Sequence, residues 1–478
     1  MLLMLLAIRL ACAQPEAILT GHLPSHDADS VLVSWRATPF DEHECSVGVL
    51  PNSRGDFELR VPLSGPLAAE LSVGDADTPL FLEPGNALRV KLEQVHKEVQ
   101  FRFQAADGSA QAAAANNYLA EFTRRFVDDV EFQVLPDNVR LLETPFLSFL
   151  DYRQKAELKL LRGLDHDQVT PAFLAFAEAE IRCATANDHL TYPELRAATV
   201  GMEPLPVGPD FYDFLSDPTL LPADPAASLS PQYQELGINY VHYQVRHNGP
   251  APTEAGYYPA CYREAGRHPN GNAVVQGLVV LETIRNGHIA HANALLADYA
   301  AHSGAPAAWS QQLRQQLVAH RPHAMGSPPP PLPTGLRSVQ GDTVNLRKYV
   351  GKLVYLLLWD TRLPASQREI QPLRDLMRRF AYQPVQFVAL ALDEQDAAWR
   401  RLMAQAPPMP GVQVLVPPAA GAALRTAYDP TGLPAAVLLA EDGTILQFRA
   451  RRPSHQLLPA DIKWAFGRAA AYRAVKLP

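Results

Sequence analysis

The sequence is poor in cysteine, with four in 478 residues, at positions 12, 45, 183 and 261. If Cys12 leaves with an N-terminal signal, three widely spaced thiols remain, an odd number that builds no disulfide framework. Cys45, Cys183 and Cys261 are read as isolated small hydrophobes, with one pair among them left open. Long apolar runs are also missing, and no segment is apolar enough to be transmembrane. Neither a Walker nor a Rossmann glycine pattern occurs, nor zinc-ribbon cysteines, nor a Gly-x-Ser-x-Gly elbow. Positive charge is in deficit. Against 50 Asp and Glu stand 42 Lys and Arg, and a net charge of −8 offers no field attractive to nucleic acid or an anionic membrane. No cofactor is implied.

What is present is a soluble globular composition, 47% hydrophobic and 19% charged, in a chain long enough for two or three cores. Residues 1–13 form a short apolar stretch ending in Ala11-Cys12-Ala13, the small-x-small pattern of a secretory cleavage site. The stretch is too short to span a bilayer, and Arg9 sits where a lipidation site prefers an aliphatic residue. The reading is an exported protein of the periplasm or cell envelope, with a lipid anchor at Cys12 as the less favoured variant.

The expected fold is multidomain α+β. Across 14–105, short alternating runs such as 30–35, 56–61 and 87–92 are cut by turn residues, the pattern of a small antiparallel β-sandwich. From 110 to 325 the period becomes helical, with Tyr118, Leu119, Phe122 and Phe126 on one face and Val274, Leu278, Leu281 and Ile284 on another. This predicts an irregular helical domain. A proline-rich run at 326–334 reads as a semi-rigid linker. Over 335–478 the order is βαβ, then a ββ hairpin and a last helix, which predicts an α/β domain.

Two stretches carry family resemblance. Gly55-Asp56-Phe57 followed by the 81–86 turn (Phe-Leu-Glu-Pro-Gly-Asn) is similar to the DUF4369-like β domain of exported proteins. In the last domain, the matching residues are Gly351-Lys352, Trp359-x-Thr361, Glu369, Leu392-Asp393, Trp399, Tyr428, Gly432-Leu433-Pro434 and the 441–445 turn. In that order and spacing they resemble the exported thioredoxin-like proteins of the TlpA-like group. The resemblance implies that Pro434 is a cis-proline facing the active-site turn, and that the backbone of Leu433 is an edge to which a partner peptide adds as a strand. It also implies thiol–disulfide exchange, which needs a thiolate at a helix start and a second, resolving thiol. Here Leu363 and Ser366 stand at those two positions, within Leu363-Pro364-Ala365-Ser366. Leu357 replaces the Asp or Asn the family often keeps two residues before the Trp aligned with Trp359. No catalytic residue is therefore assigned, and the turn reads as a degenerate site. The expected peptide-binding residues are Leu433, Pro434, Trp359 and Arg362.

Several other features have bland readings. Ser366 is read as a helix-start residue rather than a nucleophile, since His455 is the one histidine of the domain. His288 and His291, with His242, His247 and His268 in the same domain, are read as surface histidines rather than a metal site. Arg374, Arg378, Arg379, Arg400, Arg401, Arg449, Arg451 and Arg452 make local basic patches, read as solvated faces. The expected function is a redox-inactive binding or scaffolding protein of the cell envelope, with extended peptide or an envelope protein as partner. The alternative is a thiol–disulfide oxidoreductase, which would have to use Cys45, Cys183 or Cys261.

Overall fold

The structure is a computed structural model that describes residues 15–23, 30–41, 44–74, 76–95, 98–106, 108–201, 206–250, 256–267, 273–360, 362–392, 396–403, 411–428, 432–455 and 458–466. The proposed signal at 1–13, His268, Thr361 and Asp393 lie outside these residues. The chain forms two compact units, one of 1–193 with 206–240 and the other of 194–205 with 241–478.

The first unit opens with eight strands: β1 (Glu16–His22), β2 (Val31–Trp35), β3 (Cys45–Val49), β4 (Asp56–Pro62), β5 (Leu67–Val73), β6 (Ala76–Leu82), β7 (Ala87–Val95) and β8 (Glu98–Ala105). They make two four-stranded sheets, ordered β4-β1-β7-β8 and β3-β2-β5-β6. Inward residues of both sheets, among them Leu19, Phe57, Val61, Leu88, Val33, Leu71 and Leu80, share one core. Fully burying side chains of this size stabilises by roughly 1.5–3 kcal/mol each. The antiparallel expectation fails at one pair, because β1 runs parallel to β7, in register Ile18 with Ala87. Alternation of apolar residues fixes which face is buried and says nothing of strand direction. Gly21 is required where the two strands meet, since a Cβ there would stand 2.5 Å from the Phe57 ring and 2.7 Å from the Val90 carbonyl.

Helix α1 (Ala110–Phe122) closes the edges of both sheets with two consecutive amides. Asn116, fully buried, accepts from the Phe81 N–H (2.8 Å) and donates to the Phe81 carbonyl (3.0 Å). Asn117 does the same for Phe103 of β8, at 2.9 and 2.8 Å. Edge backbone groups that would be orphaned on burial are thereby satisfied. α1 runs into a π-helical turn (Thr123–Val127), followed by α2 (Glu143–Arg162) and α3 (Pro171–Val200), which reaches into the second unit. α4 (Pro231–Asn248) also spans the division.

In the second unit, α5 (Tyr257–Arg267), α6 (Ala273–Arg285), α7 (Ile289–His302) and α8 (Ala307–His320) pack together around α6. Val274, Val275, Val279, Val280, Leu281 and Ile284 of α6 are all buried, which places this helix inside rather than on the surface.

The proline-rich run is not a free spacer. The Gly326 N–H donates to the Ile445 carbonyl (2.9 Å), the Ile445 N–H donates to the Ser327 carbonyl (2.8 Å), and the Tyr428 hydroxyl donates to the Pro330 carbonyl. The His323 ring lies flat on Phe448, 3.6 Å between centroids. A polyproline stretch has its carbonyls free to accept, and here neighbouring donors use them.

Beyond it come β9 (Leu353–Trp359), α9 (Pro364–Gln367), α10 (Ile370–Arg379), β10 (Val385–Ala391), α11 (Asp396–Met403), β11 (Val412–Leu415), α12 (Pro418–Tyr428), β12 (Ala435–Leu439) and β13 (Ile445–Gln447). A helix over 458–466 follows. The five-stranded sheet has the order β11-β10-β9-β12-β13. β10 is parallel to β9 and β11, and β12 is antiparallel to β9 and β13. β9 is buried along its whole length. Leu353, Tyr355, Leu357 and Trp359 face α10 and the last helix, whereas Val354, Leu356 and Leu358 join the core of α12. Burial on both faces explains why this strand reads as a continuous apolar run.

Candidate functional site

The turn after β9 leaves the C-terminal end of the central strand, between the end of β10 and the start of β12. Ala435 pairs with Leu358, so the next step of the register sets Pro434 beside Trp359. The Leu433–Pro434 peptide bond is cis. On the other side the Leu392 N–H donates to the Trp359 carbonyl at 2.8 Å.

Asp360 opens the turn and is its electrostatic centre. Its side chain is 2% exposed. Oδ1 accepts from the Arg362 backbone N–H and Nε, both at 3.0 Å, and Oδ2 accepts from Arg362 Nη2 and Arg425 Nη2, both at 2.7 Å. Arg425, from α12, also donates to the Leu392 carbonyl at 2.9 Å. Burial disfavours the Asp360 carboxylate, but these hydrogen bonds and charges outweigh it and hold the carboxyl well below the usual range. Arg362 thus closes the turn on itself, and Arg425 pins it to α12.

Ser366 is fully buried in α9, where its Oγ accepts from the Asp360 N–H at 3.2 Å. Its hydroxyl is used to brace the turn, and no histidine hydrogen-bonds to it among the described residues. Leu363 is 37% exposed. The turn therefore presents an alkyl group at its rim and a hydroxyl within. Glu369, also buried, accepts from the Ser454 N–H (2.7 Å) and hydroxyl (2.8 Å), anchoring the start of α10.

The other residues singled out from the sequence fall as follows. Trp359 is 1% exposed and packed in the core, so its indole supports the turn from beneath. Leu433 is 8% exposed and lies in the core on the opposite sheet face, Pro434 is buried, and the Arg362 side chain is 42% exposed. Asp360 and Arg425 escaped sequence reading. A lone Asp closing an apolar strand was the available signal for the first, and nothing marked Arg425 as its partner.

The three described cysteines are free, Cys45 exposed and Cys183 and Cys261 buried. Burial pushes each of the two buried thiols up to about 12. Cys261 Sγ lies 3.8 Å from His242 Nδ1, but that nitrogen is already 2.6 Å from the Tyr257 hydroxyl, and Nε2 is 2.7 Å from Glu282 Oε2. The His288 and His291 rings stand 6.2 Å apart. Among the described residues no three His, Cys, Asp or Glu side chains converge as a metal site would require. In the basic patches, Arg378 pairs with Asp375 and Arg451 with Asp461 (2.6 Å).

No family model matches the chain. Over 123 residues it is 24% identical to the thiol-disulfide oxidoreductase ResA of Halalkalibacterium halodurans, a match covering 26% of this chain and 68% of that protein. Among solved structures, the thioredoxin domain of a thiol-disulfide oxidoreductase from Bacteroides vulgatus aligns at 20% identity and a TM-score of 0.27, covering 30% of this chain and 98% of the other. A thiol:disulfide interchange protein of the thioredoxin family from Chlorobium tepidum aligns at 20% identity and 0.25, covering 30% and 99%. Its own elements make the protein a mixed α/β multidomain chain. Over part of its length it is similar to the thioredoxin-like thiol-disulfide oxidoreductases. Among the described residues no helix is long and apolar enough to cross a membrane.

Proposed function

We propose that the last domain, 335–478, is a redox-inactive thioredoxin-like domain that binds extended peptide or a protein partner of the cell envelope. One observation carries this reading: no cysteine follows residue 261, so the turn after β9 holds Leu363 and Ser366 where exchange chemistry needs two thiols. What is left is a braced turn with an exposed rim of Leu363 and Arg362 beside the Leu433–Pro434 segment, whose backbone is the proposed edge for strand addition. Trp359 would act from below, as a rigid floor. The assignment of 14–105 as a DUF4369-like sandwich, of 110–325 as a separate helical domain, and of 1–13 as an export signal belongs to the same proposal.

The second reading, a thiol–disulfide oxidoreductase, is favoured by the similarity to ResA. It would depend on Cys45, Cys183 or Cys261. Burial pushes the thiols of Cys183 and Cys261 up, away from the thiolate form that exchange requires, and both side chains are fully buried. Reduction of insulin by dithiothreitol, with and without the purified protein, separates the readings. The binding reading expects the background rate. Turnover above background that disappears in Cys45→Ser, Cys183→Ser or Cys261→Ser would establish the oxidoreductase instead.

A further inference from the structure

The first unit contains a cleft of about 920 Å³ between α1, its π-helical continuation, the turn at Val130–Phe132 and the C-terminal half of α2. That volume falls within the range of small-molecule sites. Its apolar wall is aromatic and aliphatic: Tyr118, Phe126, Phe132, Leu160 and Leu164. Phe126 and Phe132 meet edge to face, 4.9 Å between centroids, a favourable geometry for an aromatic pair.

The polar lining is cationic and only partly compensated. α1 does not end as an α-helix. The Asp128 N–H donates to the Thr123 carbonyl at 3.0 Å, and this widened turn delivers three consecutive residues, Arg124, Arg125 and Phe126, to one cleft. π-turns of this kind recur at functional sites. Glu121 serves both guanidiniums, at 2.7 Å to Arg124 Nη2 and 3.4 Å to Arg125 Nε. Asp129 is the other carboxylate lining the cleft, and its Oδ1 accepts from the Glu131 N–H at 3.0 Å. Lys159, exposed on the facing helix, makes no ion pair or side-chain hydrogen bond among the described residues. Three cations against two anions leave one positive charge unmatched. The Asn117 amide is consumed by the Phe103 backbone, which leaves the cations as the charged groups that can meet a ligand.

We propose that this cleft binds a monoanionic amphiphile, a carboxylate carrying an apolar chain or ring. The carboxylate would sit between Lys159 and Arg125, and its body would lie against Phe126, Phe132, Leu160 and Leu164. A single negative charge balances the surplus, and a dianionic phosphate would overshoot it. Calorimetric titration of the full chain with dodecanoate below its micellar concentration tests this, with dodecanol and dodecyltrimethylammonium as comparators. Dodecanoate is expected to saturate at one per chain, to bind roughly fivefold tighter than dodecanol, and to weaken in 0.5 M NaCl, as an exposed charge contact requires. Lys159→Gln, an exposed change that leaves the core intact, should remove most of the difference between acid and alcohol. Equal affinity for the two, binding that does not saturate, or a Lys159→Gln protein that still prefers the acid by the full margin would each overturn the proposal. The comparison of acid with alcohol needs no variant, so it stands even if a substitution disturbs folding.

Discussion

Replacing Asp360 by Asn keeps the size of the side chain and removes its charge, so it isolates what the double ion pair contributes. In the native turn both carboxylate oxygens of Asp360 face an N–H of Arg362 or Arg425. The amide nitrogen that this change introduces would meet a guanidinium, donor against donor. Removing one partner from a fully buried ion pair costs about 3–5 kcal/mol. Here Arg362 and Arg425 are 42% and 36% exposed and can turn to water. Solvent screening lowers the expected loss to about 2 kcal/mol. The sign of the pH dependence follows from the depressed carboxyl. Its stabilisation is complete above the unfolded value of about 4 and is lost as pH falls toward the lower folded-state value. Urea unfolding of the full chain, followed by the emission of its five tryptophans, of which Trp359, Trp399 and Trp464 lie in the last domain, should show the Asp360→Asn transition at lower urea at pH 7. The gap to the unmodified protein should be constant above about pH 5 and shrink below about pH 4. Arg425→Ala alone should cost about 1 kcal/mol, and the double variant less than the sum of the two. Additive losses, or a gap that widens toward acid, would refute the assignment of Asp360 as the electrostatic pin of this turn.

Leu363→Cys with Ser366→Cys should form a disulfide detectable by mass spectrometry and introduce measurable insulin reduction, since the short helix α9 and the residue before it carry the two positions. A folded double variant that never oxidises would show that these are not the lost thiol positions. Tyr118 is buried and its hydroxyl has no hydrogen-bond partner among the described residues, so Tyr118→Phe should stabilise the first unit by about 1 kcal/mol, read by calorimetry. A loss of stability would reveal a partner for that hydroxyl.

What the sequence made legible follows what its residues encode. The βαβ order of the last domain could be read because β9, buried on both faces, is a continuous apolar run and a helix from Ile370 follows it. β3, exposed on most of its length, has no alternation to read. The parallel pairing of β1 with β7 is invisible for a related reason, since strand direction leaves no mark on side-chain pattern. At the site, the absence of thiols could be read directly. The contact between Asp360 and Arg425 joins residues 65 apart, and neither residue type is unusual in its own surroundings. The π-turn that gathers Arg124, Arg125 and Phe126 has no periodic signature over five residues.

Ser327 beside Ile445 and Val339 beside Gln413 have a joint consequence. The Val339 N–H donates to the Gln413 carbonyl at 2.9 Å, and Ser338 bridges Val414, so β11 is flanked just as β13 is flanked by 326–327. Both outer strands of the five-stranded sheet are already paired with chain that precedes β9. Bare strand edges are the template on which soluble proteins begin to aggregate. The segment that leads into the sheet is also its selvedge, lying against Ile445 on one margin and against Gln413 and Val414 on the other.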